Sequence, residues 1–341
     1  MRARTPAYAA FMLAAVVRPL SAQSYHVTHR YTLGGDGGWD LMALDTAGHR
    51  LFIARRDRVM VVDPDKGVLL AEIPGLERAH GIAFSYETGR GFATSGGDSS
   101  VVIFDLKTLK VVGRTIAAPD ADAILADPVT KRVFAFNGDS RTASALDPAT
   151  GRKLGTVDLG GGAEFAVAAG DGKLYVNLED KSAVAEIDAA TMQVTRGWSL
   201  APCASPTGLA IDRAHHRLFS GCRNQVMAIS DATLGKVVAT EPIGQGVDAC
   251  QFDPGTQLAF ASTGDGAITV VHEDAPDRYT VTGSVATKRG ARTMEIDLRT
   301  HRLFTVTADF GPVPAATPEH PRPRPPVVPG TFELLELDLT R

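Results

Sequence analysis

The chain has 341 residues, of which 44% are hydrophobic, and 39 acidic residues outnumber 35 basic ones for a formal net charge of −4. This acidic balance argues against a protein that tracks nucleic-acid phosphates, because such a surface must be positive. The sequence has no glycine-rich phosphate-binding loop, no CxxCH, no HExxH and no GxSxG, so we expect neither haem nor nicotinamide as a cofactor.

Residues 1–22 have the pattern of a secretory signal peptide. Arg2 and Arg4 precede a short apolar run (8–17), and a Leu-Ser-Ala cleavage site follows. The run is too short to cross a bilayer. We therefore expect a periplasmic or secreted protein whose mature chain, 23–341, is a single domain, a monomer and free of transmembrane segments.

The mature sequence repeats with a period of 41 to 44 residues. Each repeat has a short apolar strand, a polar turn, a second apolar strand, a third strand ending near an aspartate, and a more polar fourth strand. The repeats open with LMALD (41–45), IAFSY (82–86), ILADP (124–128), FAVAAG (165–170), LAIDR (209–213), CQFDP (250–254) and MEIDL (294–298). This recurring order of strands and turns predicts an all-β protein, a seven-bladed β-propeller. His49, His216 and His301 occupy equivalent positions in the turn after the first strand of their repeats, and this equivalence indicates a structural role.

The two ends of the chain predict how the ring closes. The last repeat stops after its third strand (332–341), whereas residues 26–35 read as a fourth strand with no three before it. We expect these strands to pair and leave no open sheet edge. The last repeat also carries a proline-rich insertion (311–330), interpreted either as a flap that could meet a protein partner or as a solvated loop.

One residue per repeat is predicted to face the central channel, five positions before the end of the first strand. This ring consists of Asp40, His80, Asp122, Glu164, Thr207, Asp248 and Arg292. Four crowded carboxylates repel one another unless a cation neutralises them, so the ring favours a ligand or metal site. Asp40, His80 and Asp122 come from consecutive repeats and could bind calcium or a transition metal. The alternative is a solvated polar mouth with no ligand.

Other polar residues end the second strands and are expected on the same face as the ring. Asn137, Asn177, Arg223 and Asn224 could contact a ligand there, or could serve only the turns.

The three cysteines predict one disulfide in an oxidising compartment. Cys203 and Cys222 fall at the same blade junction, so we expect them to pair and leave Cys250 free. The alternative is three free buried thiols.

Motifs along the whole mature chain carry a family resemblance. They include GGDGGWDLMALD (34–45), HGIAF (80–84), DAILADP (122–128), FAFNG (134–138), EFAVA (164–168), APCASPTGLA (201–210), RGARTMEID (289–297) and the TADFGP and VPGTF segments (307–332). With these motifs the chain resembles the YncE-like, YVTN-type β-propeller family of secreted bacterial proteins. The resemblance implies a seven-bladed propeller and export to the periplasm. Cys250 departs from the small residue usual at its position.

Three functional hypotheses follow. The first is a periplasmic binding protein or scaffold whose channel holds a small molecule or a divalent metal. The second, by analogy with seven-bladed lactonases, is a metal-assisted hydrolase or lyase. In that hypothesis Glu164 or Asp122 is the general base, His80 a ligand or acid, and Arg292 an anion-stabilising group. The third is a protein-interaction module using the face with the proline-rich loop. Two tryptophans are too few for a quinone-binding propeller, so we expect no quinone.

Overall fold

The computed structural model describes residues 24–317 and 323–340. These residues form seven four-stranded antiparallel sheets, the blades of a β-propeller. The fold expected from the repeats is confirmed. The predicted signal peptide lies outside the described residues, as does the centre of the proline-rich insertion.

The first strand, β1 (Ser24–Thr32), belongs to the last blade, and blades 1 to 3 follow it in chain order. Blade 1 consists of β2 (Met42–Asp45), β3 (Arg50–Arg55), β4 (Arg58–Asp63) and β5 (Val68–Pro74). Blade 2 consists of β6 (Ala79–Ser85), β7 (Arg90–Ser95), β8 (Ser100–Asp105) and β9 (Val111–Ile116). Blade 3 consists of β10 (Ala121–Ala126), β11 (Val133–Asn137), β12 (Thr142–Leu146) and β13 (Lys153–Asp158).

The remaining blades repeat this order, with one 3₁₀ turn at Glu179–Lys181. Blade 4 consists of β14 (Ala163–Ala168), β15 (Lys173–Leu178), β16 (Ala183–Asp188) and β17 (Gln193–Ser199). Blade 5 consists of β18 (Pro206–Asp212), β19 (Arg217–Cys222), β20 (Val226–Asp231) and β21 (Lys236–Pro242). Blade 6 consists of β22 (Val247–Asp253), β23 (Leu258–Thr263), β24 (Ala267–Ala275) and β25 (Arg278–Ala286). Blade 7 consists of β26 (Met294–Asp297), β27 (Arg302–Thr307), β28 (Glu333–Thr340) and β1.

Strand β1 closes the ring as the sequence predicts. It pairs antiparallel with β28, from Ser24 opposite Thr340 to Thr32 opposite Glu333. Tyr25 packs edge-on against Phe260 of blade 6, with ring centroids 5.1 Å apart, and its hydroxyl donates to the His301 carbonyl. The closing strand is therefore held by side-chain packing as well as by its backbone ladder.

The hydrophobic core is divided among the interfaces between neighbouring blades. Each second strand contributes one buried aromatic ring at the same position: Phe52, Phe92, Phe134, Tyr175, Phe219, Phe260 and Phe304. Phe134 of blade 3 clusters with Leu174 of blade 4, and Leu51 of blade 1 clusters with Phe304 of blade 7. Because a single blade cannot bury both of its faces, each depends on its two neighbours.

The turn between the first and second strands has a left-handed residue three positions before the buried aromatic residue in every blade, with φ between 50° and 93°: His49, Gly89, Lys131, Gly172, His216, Gln257 and His301. The turn of blade 4 has a second one, Gly170. The left-handed residue allows the chain to reverse within a short turn. The structure thus places the three repeated histidines in a turn, at the end of the first strand away from the predicted ring.

The predicted disulfide between Cys203 and Cys222 is confirmed. Cys250 is free and buried, and burial raises its pKa to about 12, so its thiol stays protonated at neutral pH. In the part of the chain that the structure describes, no helix has the length and apolar character of a membrane span.

The described ends of the proline-rich insertion are anchored beside blade 1. Phe310 and Val327 form an isolated antiparallel bridge, and the Gly311 amide donates to the Pro326 carbonyl at 2.8 Å. The Trp39 ring lies 6.0 Å from Phe310 and 5.4 Å from Phe332. Since Trp39 directly precedes a predicted ring residue, the base of the insertion lies next to the channel mouth.

Candidate functional site at the channel mouth

The beginnings of the first strands bring the predicted ring together at one mouth of the channel. His80 Nδ1 lies 2.5 Å from Asp40 Oδ2 and 3.5 Å from Asp122 Oδ1. One potential ligand atom from each of these residues lies within 4.8 Å of the other two. All three side chains are only partly exposed, so the cluster is accessible from the channel without being surrounded by water.

The His80 ring fits its place because the neighbouring strand end has no side chain. A Cβ added to Gly96 would lie 2.8 Å from His80 Nε2, closer than such atoms approach. Among residues 24–317 and 323–340, this buried Nε2 has no hydrogen-bond partner. Burial disfavours the imidazolium, but the hydrogen bond to Asp40 and the charge of Asp122 outweigh it and raise the pKa of His80.

Arg292 joins the two sides of the ring. Its guanidinium lies 3.2 Å from Asp248 Oδ2 and 3.7 Å from Asp40 Oδ1. The charge of Asp248 raises the pKa of Arg292, so the cation persists at any ordinary pH. A chain of contacts therefore runs from Asp122 through His80, Asp40 and Arg292 to Asp248.

The pKa values of Asp122, Asp248 and Glu164 are raised above their usual range. Burial raises the pKa of Asp122 to about 7, with a further contribution from the Asp40 charge, although His80 opposes the shift. Burial likewise raises the pKa of Asp248 to about 6 against the opposing effect of Arg292. Burial and a hydrogen bond with Glu179 raise the pKa of Glu164 to about 9. The raised pKa favours the protonated form of Glu164 at neutral pH.

Three of the predicted contact residues lie inside the blades, where protein groups engage them. Thr207 is 1% exposed, and its hydroxyl donates to the carbonyls of Gly221 and Val247. Buried Asn177 donates to the carbonyls of Thr207 and Gly208. Asn137, also buried, donates to the Thr142 carbonyl at 3.1 Å. Their amide and hydroxyl donors hold neighbouring strands together.

The two residues after Cys222 have different surroundings. Arg223 is more than half exposed and lies 3.1 Å from Glu179, and its charge lowers the pKa of the nearby Glu164. Asn224 accepts a hydrogen bond from the Ala204 amide and donates to the Pro202 carbonyl, so it braces the loop that bears the disulfide. Of the two, only Arg223 lies in the electrostatic surroundings of the ring.

An acidic cavity of about 250 Å³ adjoins the ring, and the sequence analysis missed it. Its carboxyl groups come from Asp120, Asp122, Asp139, Glu164, Glu179 and Asp180. Arg141 offsets part of this charge by pairing with Asp180 at 3.0 Å. Asp139, Glu179 and Asp180 closely follow the ends of the second strands, where acidic residues are ordinary turn residues, so the sequence gives no sign that they share a cavity.

A second group that the sequence analysis missed lies deeper in the channel. The first-strand position three residues after the ring is apolar in blades 1 to 5 and polar in blades 6 and 7, which contribute Gln251 and Glu295. These residues line a cavity of about 530 Å³ toward the other mouth. Burial raises the pKa of Glu295 to about 7. Only alignment of all seven blades would reveal this change along the first strand.

Fold and site together define a seven-bladed β-propeller with a charged channel mouth. No family model matches the chain, and no curated protein matches it. Many solved structures share its fold. A chain of the crystal structure of the mitotic checkpoint complex aligns over 100% of both chains, with a TM-score of 0.73 and 13% identity. This likeness shows the fold alone, so membership of the YncE-like family stays a prediction.

Proposed function

We propose that this protein is a periplasmic or secreted binding protein whose channel mouth binds a divalent transition-metal ion through Asp40, His80 and Asp122. The observation that carries the proposal is the convergence of one imidazole and two carboxylates, from three successive blades, within 4.8 Å. Imidazole nitrogen with carboxylate oxygen is a donor set typical of zinc, iron or manganese, whereas calcium prefers oxygen alone.

Electrostatics supports a cation at this position. Burial and the charge of Asp40 raise the pKa values of Asp122 and Asp248. Ionising these two groups therefore costs free energy that a bound cation would offset. Arg292 lies beside Asp40 and Asp248, whereas the ring residue in contact with Asp122 is His80. A metal ion would replace the proton that His80 and Asp40 share and would stabilise Asp122 as an anion.

The surroundings suit a preformed binding site. The ring residues lie at the start of the first strands or just before them, and the blade interfaces hold these strands in place, so binding needs little rearrangement. The acidic cavity beside Glu164 adds room for a positively charged small ligand next to the metal.

The test is metal binding by chelator-treated full-length protein. Zinc, manganese and calcium are titrated by calorimetry into wild type, Asp122→Asn and His80→Gln, with Asp98→Asn as a control that removes an aspartate outside the triad. We expect both triad variants to lose one equivalent of metal while the control keeps it. Equal stoichiometry and affinity in wild type and both triad variants would refute the proposal.

A further inference from the structure

Blade 6 departs from the repeat within its third strand, where His272 takes the place of the aspartate of the other blades. The position after this aspartate is apolar in the other blades: Pro64, Leu106, Pro148, Ala189, Ala232 and Leu339. Blade 6 has Glu273 there. The positions are equivalent in space, because the Glu273 amide donates to the Gln257 carbonyl as the Ala232 amide donates to that of His216, both at 2.9 Å. A carboxyl group thus occupies a place that otherwise packs between blades, and Glu273 is only 1% exposed.

Blade 5 breaks the repeat in its first turn, close to the same point. Four other blades have a threonine before the left-handed turn residue: Thr88, Thr130, Thr256 and Thr300. In blade 3 the hydroxyl of Thr130 donates to Asp127 at 2.6 Å. Blade 5 has His215 instead, and its Nδ1 lies 2.5 Å from Asp212 Oδ2. An imidazole has replaced a hydroxyl beside a buried aspartate.

These two exceptions face each other across the junction of blades 5 and 6. Glu273 Oε1 lies 3.7 Å from His215 Nδ1, and one ligand atom each of Asp212, His215 and Glu273 lies within 4.8 Å of the other two. The corresponding junction of blades 3 and 4 brings Thr130 and Ala189 to the same positions, so a regular blade junction offers no such donor set.

The cluster has unused capacity to bind. Within the described ranges, the buried Oε2 of Glu273 has no hydrogen-bond partner. Arg217, whose guanidinium donates to the His215 carbonyl, is already engaged by Asp231 at 3.0 Å and Asp277 at 2.9 Å. The His215 side chain is 41% exposed, which leaves a path from solvent to the buried carboxylates. A buried carboxylate with an unpartnered oxygen is costly unless a proton or a cation completes its surroundings.

We propose that Asp212, His215 and Glu273 form a zinc site that links blades 5 and 6, at the face of the disc opposite the channel mouth. One imidazole nitrogen and two carboxylate oxygens are ordinary zinc ligands, and solvent supplies the fourth position on the exposed side. Tetrahedral zinc separates its ligand atoms by about 3.3 Å, a distance bracketed by the two contacts of His215 Nδ1, 2.5 and 3.7 Å. Zinc binding would replace the hydrogen bond between His215 Nδ1 and Asp212 Oδ2.

The experiment returns each exceptional residue to that of the other blades. His215→Thr and Glu273→Ala restore the residues of blades 3 and 4 and are therefore expected to fold. Thr130→His is the matched control, because it adds an imidazole to a junction without the facing carboxylate. Chelator-treated full-length proteins are titrated with zinc by calorimetry, and their melting temperatures are measured with and without zinc.

We expect His215→Thr and Glu273→Ala each to lose one zinc equivalent, or to bind it at least about 100-fold more weakly, while Thr130→His matches wild type. Asp122→Asn must keep this equivalent, which separates the site from the channel mouth. Should one variant fail to fold, the other decides. Wild-type zinc stoichiometry and affinity in a folded His215→Thr or Glu273→Ala protein would overturn the proposal.

Discussion

The blade interfaces and the channel mouth of this propeller are built in opposite ways. At the interfaces, every second strand places an aromatic ring at the same position, from Phe52 to Phe304. At the mouth, equivalent positions carry acids, a histidine, a threonine and an arginine. A side chain that every blade needs for packing must recur in every blade, whereas a binding site needs different groups at different places. Repetition therefore indicates structure, and departure from repetition indicates chemistry.

The largest loss of stability is expected at the aromatic position that recurs in every blade. Phe134→Ala removes a fully buried ring between blades 3 and 4 and should lower the free energy of unfolding by about 3–5 kcal/mol. Denaturant titration measures the loss, and Val112→Ala on an exposed outer strand is the control, with an expected change below about 0.5 kcal/mol. Metal affinity of the folded variant should stay unchanged. A lower affinity would mean that packing and binding are not separate.

Asn177 is buried between blades 4 and 5, and its replacement tests whether this predicted contact residue serves packing or binding. Its amide donates to two carbonyls of blade 5, so Asn177→Ala leaves buried acceptors unsatisfied and should cost about 1–3 kcal/mol of stability. Calorimetric titration with metal should find the affinity of wild type. If the variant instead keeps its stability and loses metal, Asn177 belongs to the binding site.

The smallest expected effect is a change in the pH dependence of stability, which tests the Glu295 carboxyl group in the channel wall. Burial raises the pKa of Glu295 to about 7, so the folded protein holds a proton that the unfolded chain releases near pH 4.3. Its contribution to stability is full below that unfolded value and is lost as pH rises toward 7. Glu295→Gln should therefore flatten the decline in unfolding free energy between pH 5 and 7. An unchanged slope, measured by urea titration at each pH, would contradict a buried carboxyl there.

The sequence predicts the candidate site in part, and the reason lies in the periodicity. Asp40, His80 and Asp122 emerge once the repeats are aligned, because equivalent positions in a ring point the same way. The same alignment shows no difference between Thr207, whose side chain turns into the blade, and His80, which stays at the channel. Side-chain direction depends on neighbouring strands that lie about 40 residues away in the sequence.

The sequence alone predicts the seven blades and the pairing of β1 with β28, because each follows from the period or from a missing strand. It also predicts the disulfide between Cys203 and Cys222, because both cysteines fall at one blade junction. Which polar groups meet depends on how neighbouring blades pack. Glu273 and His215 are 58 residues apart in the sequence and belong to no recognisable motif. The packing of blade 6 against blade 5 nevertheless brings their side chains to 3.7 Å. Contact across a blade junction depends on how two sheets pack, and a repeat pattern describes only one sheet at a time.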